Sequence, residues 1–276
     1  MTELFKKIEP GATPRKLIVV YGPPACGKTR FTTALGESFG KVAYLALDEG
    51  SEDLDSVLPQ HRSRLEVFKP NFCTDPEANP VLESNLSVMT TDWKNMGFDT
   101  LIDDTFSNRV RKWLWHITQK GEFQEKRNMI GEPGQKGSVA LPDKGHYGGV
   151  QGVIRNYLNL LFVSNPHLNI ILNCHEYMND KSGQMKGGPA TAGSAMLSEF
   201  PSNFKTIIRL EVEPGKAEIV AGKVVPGKDR YIAHMAPHGI WMARRNKITA
   251  ADPPFTMGED PIDFWTQFDM ISKGDK

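Results

Sequence analysis

The chain has no surplus of charge: 33 lysines and arginines stand against 33 aspartates and glutamates. Proteins that coat nucleic acid or an anionic membrane surface usually declare themselves by a basic excess, so bulk charge carries neither role here and only local basic loops remain open. Cysteine is scarce, with Cys26, Cys73 and Cys174 far apart. Three thiols at such spacing support neither a disulfide framework nor a paired-cysteine metal knuckle, and they point to a reducing, cytoplasmic compartment. No apolar run approaches the roughly 20 residues that cross a bilayer, and residues 1–10 lack the apolar stretch of a signal peptide. Internal repeats and low-complexity tracts are missing too. What is present is an ordinary apolar content of 39% in 276 residues, enough for one large α/β domain or two small ones.

Breakers at Pro10, Gly11 and Pro14 close a short lead-in, residues 1–15. Leu17-Ile18-Val19-Val20-Tyr21 is a continuous apolar run of the kind a strand covered on both faces shows. A Gly/Pro loop and a helix over residues 28–39 follow. Further strands are expected at 42–47, 65–68, 98–102 and 168–173, and helices at 80–96, 108–119 and 150–162. Residues 120–149 and 178–193 read as glycine-rich loops. Short strands at 205–212, 217–220, 230–235 and 240–243 and a helix at 261–271 complete the pattern. Strands alternating with helices, then a run of strands, predict a mostly parallel sheet flanked by helices and extended by antiparallel strands. The main domain is expected over 16–255, with 256–276 as a helical tail.

Gly22-Pro23-Pro24-Ala25-Cys26-Gly27-Lys28-Thr29 fits the spacing G-x-x-x-x-G-K-[ST], with an apolar strand before it and a helix after it. Glycines let backbone N–H groups wrap around phosphates, Lys28 reaches the β- and γ-phosphates, and the Thr29 hydroxyl is placed for Mg²⁺. Arg30 follows on the same helix. Cys26 reads as a small filler residue. A P-loop needs a further acid for the metal, and Asp103, at the end of the strand Phe98-Asp99-Thr100-Leu101-Ile102, is the expected one. Hydrolysis of ATP needs a carboxylate to orient water. Glu49, after the second strand, and Asp104 compete for that part, and Glu49 is favoured by its placement. No guanine-reading Asn-Lys-x-Asp motif is present, in mild support of ATP over GTP.

These motifs together resemble the RecA-like ATPases, and in particular the phage-encoded, ATP-dependent single-strand annealing and recombination proteins, over about residues 16–255. Asp48-Glu49-Gly50 resembles the family's catalytic-glutamate position, and Leu101-Ile102-Asp103-Asp104 its metal-site strand. His146-Tyr147-Gly148-Gly149 is similar to the first DNA-binding loop and its following helix. Ile171-Leu172-Asn173-Cys174-His175-Glu176 is similar to the strand that senses γ-phosphate, and Gly188-Pro189-Ala190-Thr191-Ala192-Gly193 to the end of the second DNA loop. Arg244-Arg245-Asn246-Lys247-Ile248 resembles the basic stretch that reaches a neighbouring subunit's nucleotide. The resemblance implies the RecA-like fold, a filament or ring, and ATP-controlled binding of single-stranded DNA through loops 120–149 and 178–193. It also implies that Asn173 or His175 reports the γ-phosphate, and that Arg245 and Lys247 contact nucleotide. Where the family has Asn-Gln, this chain has Asn173-Cys174, which hands the coupling part to His175. A lead-in of fifteen residues leaves little room for an assembly helix, so the form of the assembly stays open. Two other classes also stay open: a P-loop kinase for a small-molecule acceptor, and a nucleotide-dependent assembly factor.

Overall fold

The computed structural model describes residues 15–49, 54–75, 77–119, 129–130, 139–179, 186–220, 223–225, 227–245, 248 and 252–273. In chain order the first elements are β1 (Leu17–Gly22), α1 (Lys28–Thr33), β2 (Val42–Ala46), α2 (Pro59–Arg62), β3 (Leu65–Phe68), α3 (Pro80–Thr90), β4 (Thr100–Asp104) and α4 (Phe106–Gln119). Next come β5 (Met129–Ile130), β6 (Val139–Ala140), α5 (Lys144–Ser164), β7 (Asn169–Asn179), β8 (Lys186–Pro189), α6 (Met196–Ser202) and β9 (Thr206–Glu213). The chain continues through β10 (Glu218–Val220), β11 (Lys223–Val225), β12 (Arg230–His234), β13 (Phe255–Met257) and α7 (Ile262–Lys273).

All six residues of β1 are buried, as their apolar run requires, and β1 sits at the middle of the main sheet. The strand order is β13-β12-β9-β1-β7-β4-β2-β3, with β8 paired to β7. The six strands from β9 to β3 are parallel, while β12 and β13 extend the edge in antiparallel fashion. This is the α/β sheet the alternation of elements predicts. One face is packed by α3, α4 and α5 around Val19, Tyr21, Leu101, Trp113 and Tyr157. The other is packed by α1 and α7 around Ile18, Val20, Phe31, Phe39 and Trp265. There α7 lies directly on α1: the Trp265 ring contacts Phe31 and Phe39, and its Nε1–H donates to the Phe31 carbonyl at 2.8 Å. A helix expected as a tail is therefore part of the core.

Element boundaries differ from expectation for local reasons. α1 ends at Thr33 rather than Phe39, because Thr32 and Thr33 are β-branched and bond back to the carbonyls of Lys28 and Thr29, and Gly36 follows. α5 begins at Lys144, six residues before the expected start. Asp143 caps it, accepting from the His146 backbone N–H at 3.0 Å while His146 Nδ1 accepts from the Asp143 backbone N–H. His146-Tyr147-Gly148-Gly149, expected as a loop, is thus the first part of a helix. β7 runs on to Asn179 and pairs with β8, so the second glycine-rich segment is a β-hairpin on both flanks. Of the two expected loops, residues 120–128, 131–138 and 180–185 lie outside the described residues. In place of a strand at 240–243, Trp241 makes isolated bridges to Gly187 and His238.

One buried ion pair joins β4 to the helical layer. Asp103 accepts from Arg109 Nε at 2.7 Å, and Arg109 Nη1 donates to Ser84 Oγ at 2.9 Å. Neither residue of the pair is more than 1% exposed. Burial pushes the Asp103 carboxyl above its ordinary value, and the Arg109 guanidinium opposes that rise. Truncating one partner leaves a buried charge uncompensated. Arg109→Ala is therefore expected to lower stability at pH 7 by about 3–5 kcal/mol. Without its partner, Asp103 has a folded-state pKa above the unfolded one, so the loss shrinks as pH falls and the carboxyl takes a proton. Denaturant unfolding at pH 7 and pH 5 checks both statements; a loss independent of pH would contradict the second.

Candidate nucleotide site

The loop from Gly22 to Thr29 leaves β1 at the carboxyl end of the parallel strands. Only glycine fits at Gly22, since a Cβ there would stand 2.5 Å from the Leu210 carbonyl oxygen and 2.8 Å from Cys26 Sγ. Ala25 (φ 60°) and Gly27 (φ 79°) both take the left-handed region. Alternation of this kind turns successive N–H groups to one side and forms an anion-binding concavity. Lys28 is buried, and its Nζ donates to the carbonyls of Gly22 at 3.1 Å and Pro23 at 2.8 Å, across the mouth of the loop. Cys26 is buried with its thiol pushed above the ordinary value by burial, as befits a filler rather than a thiolate.

β4 supplies two carboxylates to opposite faces. In a strand successive side chains alternate, so Asp103 turns to the α3–α4–α5 layer and Asp104 to the loop. Asp104 Oδ2 accepts from Thr29 Oγ1 and from the Tyr44 hydroxyl, each at 2.6 Å. Burial raises the Asp104 carboxyl, and these two hydrogen bonds oppose the rise. Its Oδ1 is buried with no partner among the described residues. The metal position expected for Asp103 is corrected accordingly. Asp103 is bound to Arg109 and Tyr157 on the far face, and Asp104 is the acid at the loop.

β7 lies between β1 and β4, and the register Val20↔Asn173 and Gly22↔His175 brings its end to the site. Asn173 Nδ2 donates to Thr32 Oγ1 at 2.9 Å, and Asn173 Oδ1 is buried without a partner. His175 is half-buried, with Nδ1 likewise unpartnered. Burial first, then the Lys28 charge, lower its pKa, so the imidazole is neutral at pH 7. The His175 backbone N–H donates to Ser107 Oγ at 2.9 Å, and that hydroxyl donates to the Ala190 carbonyl at 2.7 Å. At the end of β2, Asp48 is half-buried and Glu49 is exposed.

Beside the loop opens a cavity of about 580 Å³, lined in part by Gly27, Arg30, Lys228, Tyr231, Met257 and Pro261. The Tyr231 ring lies 3.6 Å from where a Gly27 Cβ would stand. Of this wall the sequence points to Cys26, Gly27 and Arg30 alone, because β12 and β13 carry no local motif. Tyr44 was missed too, although a tyrosine inside an apolar strand signals a hydroxyl in need of a partner.

The basic stretch near residue 245 is corrected. Arg245 is buried, its guanidinium lies over the Phe268 ring and donates to the Phe268 carbonyl, and burial lowers its pKa to about 10. Arg244 donates to the carbonyls of Pro201 and Phe204. Both guanidiniums make these bonds within their own chain; Arg245 is buried, while Arg244 is exposed. Lys247 lies outside the described residues.

A glycine loop between a buried strand and a helix, bonded through its threonine to the acid of a nearby parallel strand, defines a P-loop NTPase. A family model described as an AAA domain matches residues 15–235. The chain belongs to that family and carries an AAA-type P-loop ATPase domain. A comparison with curated proteins returned no match. Among the described residues no helix is long and apolar enough to cross a membrane.

Gly22→Ala tests the packing of the loop. The added methyl group must displace the Leu210 carbonyl, and overpacking of this kind costs about 1–3 kcal/mol. The expected result is a lower denaturation midpoint with weakened nucleotide binding; unchanged values for both would refute the close approach.

Proposed function

We propose that the chain hydrolyses ATP and uses the nucleotide cycle to control binding of single-stranded DNA in recombination or replication. One observation carries the ATPase part: the 2.6 Å bond from Thr29 to Asp104, with Asp104 Oδ1, Asn173 Oδ1 and His175 Nδ1 all buried and unpartnered on the same face. Buried polar atoms without partners are rare, and each needs an explanation. A nucleoside triphosphate with its metal supplies one for all three.

The residues fit Mg²⁺, which takes hard oxygen donors: Thr29 Oγ1 and Asp104 would hold it, directly or through water. When bound it supplies positive charge against the β- and γ-phosphates. Lys28 exchanges the Gly22 and Pro23 carbonyls for phosphate oxygens. The N–H groups of residues 25–29 wrap the β-phosphate, and Asn173 and His175 face the γ-phosphate. The water-orienting carboxylate comes from the end of β2. The cavity beside Tyr231 takes base and ribose, with the ring as stacking surface.

The DNA part rests on the family resemblance and on one link. The Ser107 hydroxyl ties the His175 backbone to Ala190, so the base of the segment that carries residues 178–193 is fastened to the strand beside the phosphates. Tyr147 and Tyr177 offer stacking surfaces for bases; Phe123, expected to do the same, lies outside the described residues. Self-association as a filament or ring belongs to the same reading.

Steady-state ATP hydrolysis with and without a single-stranded oligonucleotide tests both parts. Lys28→Ala is expected to abolish turnover, and DNA to stimulate the wild type. Turnover retained in Lys28→Ala sinks the site; turnover indifferent to DNA removes the DNA reading and leaves the ATPase. Tyr231→Ala is expected to weaken binding of a fluorescent ATP analogue roughly two- to twelve-fold, the worth of one aromatic stack. An unchanged affinity would place the base elsewhere.

A further inference from the structure

We infer that Asp48, rather than its neighbour Glu49, is the carboxylate that orients and activates the attacking water; the inference deepens the ATPase reading above and rests on it. The pleat of β2 makes the first case. Tyr44 and Ala46 face α1 and the phosphate loop, and the Tyr44 hydroxyl touches Asp104. Asp48 follows Ala46 by two residues, just past the end of the strand at the edge between the two faces, where it meets Thr105 and the first turn of α4. β2 stays against β4 up to this point, because the Leu47 backbone N–H donates to the Asp104 carbonyl at 2.7 Å.

The orientation of the carboxylate is set by the segment that follows the acid of the metal site. Asp48 Oδ1 accepts from Thr105 Oγ1 at 2.9 Å and from Asn108 Nδ2. Thr105 and Asn108 stand one and four residues beyond Asp104, so the two carboxylates are fixed relative to each other through a few bonds of one rigid turn. Asp48 is half-buried, whereas Glu49 is exposed. The Asp48 charge acts on Asp103, Asp104 and His175 alike, so it lies near the carboxyl ends of β4 and β7.

In the step itself the water oxygen bonds to the γ-phosphorus while the bond from phosphorus to the β–γ bridging oxygen breaks. The electron pair leaves on the ADP β-phosphate, and the proton released by the water passes to the Asp48 carboxylate and then to solvent. The products are ADP and phosphate. His175, neutral and with Nδ1 unpartnered, adds no positive charge to compete for the water.

The test compares Asp48→Asn with Glu49→Gln in the full chain, reading kcat and the Kd of a non-hydrolysable ATP analogue with Mg²⁺. Asparagine keeps an oxygen for Thr105 and Asn108 but cannot take a proton. Asp48→Asn is expected to lower kcat by about 10²–10⁴-fold, the usual worth of a general base, with Kd changed no more than about threefold. Glu49→Gln is expected to stay within about threefold of wild type in both. Should Asp48→Asn fail to fold, Asn108→Ala keeps the carboxylate and releases half its hold; it is expected to lower kcat without moving Kd. Loss of turnover in Glu49→Gln, alone or together with Asp48→Asn, overturns the assignment. A folded wild type that binds the analogue and never hydrolyses ATP fails differently, taking the ATPase reading down as well.

Discussion

Two neighbouring carboxylates at the end of β4 are both removed from water, and the structure around the site depends on how each is satisfied. Burying an ionised carboxylate without compensation costs several kcal/mol or forces it to take a proton. The pleat of the strand separates the two problems. Asp103 goes to the helical face, where a buried arginine answers it and is in turn held by Ser84. Asp104 goes to the loop face, where two hydroxyls answer one oxygen and nothing described answers the other. Each acid keeps its Oδ1 buried without a described partner, but Asp103 is tied into the fold by a charged guanidinium whereas Asp104 meets only neutral hydroxyls on the loop face. The first fixes the strand that presents the second, so the site is as rigid as the ion pair behind it.

The sheet was legible because its central strands are apolar on both faces, and the phosphate loop because its glycines answer a local steric demand. Gly22 meets the Leu210 carbonyl and Gly27 takes a positive φ, and neither requirement depends on distant sequence. The choice between Asp103 and Asp104 was not legible. A run of two acids after Leu101-Ile102 does not reveal which of them faces the loop; that depends on the register of β4 against β2 and β7. The wall at Tyr231 and Met257 was hidden for the same reason, since it is assembled from strands more than 200 residues beyond the loop by pairing across β9. Helix starts were hidden less deeply. Asp143 and His146 form a capping pair that was written in the sequence, but the glycines at 145, 148 and 149 argued for a loop and masked it.

Arg244 and Arg245 show why a basic cluster is a poor guide to a partner. The guanidinium of Arg245 is flat and weakly hydrated enough to lie on Phe268 and spend its donors on a backbone carbonyl. Arg244 closes the end of α6 by the same means. Charge in the sequence records only that a donor is present. What it binds depends on whether the fold leaves carbonyls nearer than any neighbour's phosphate.

β7 is the element through which the nucleotide site and the glycine-rich hairpin meet, and its construction limits how they communicate. Its apolar half is locked between β1 and β4, so it does not slide. Its polar half emerges at His175, pairs with β8, and is tied to Ala190 twice: by the Ala190 N–H on the His175 carbonyl, and by the Ser107 hydroxyl, which serves the His175 N–H and the Ala190 carbonyl at once. A shift of His175 toward a phosphate would strain these bonds, and a shift of Ala190 would do the same from the other end. Any coupling in such an arrangement is reciprocal by thermodynamic necessity: if occupancy of the phosphate loop changes the affinity of the hairpin for a ligand, that ligand changes the affinity at the loop by the same factor. Ser107, in the first turn of α4 between the Thr105 and Asn108 that hold Asp48, places that exchange beside the phosphate loop rather than across the molecule.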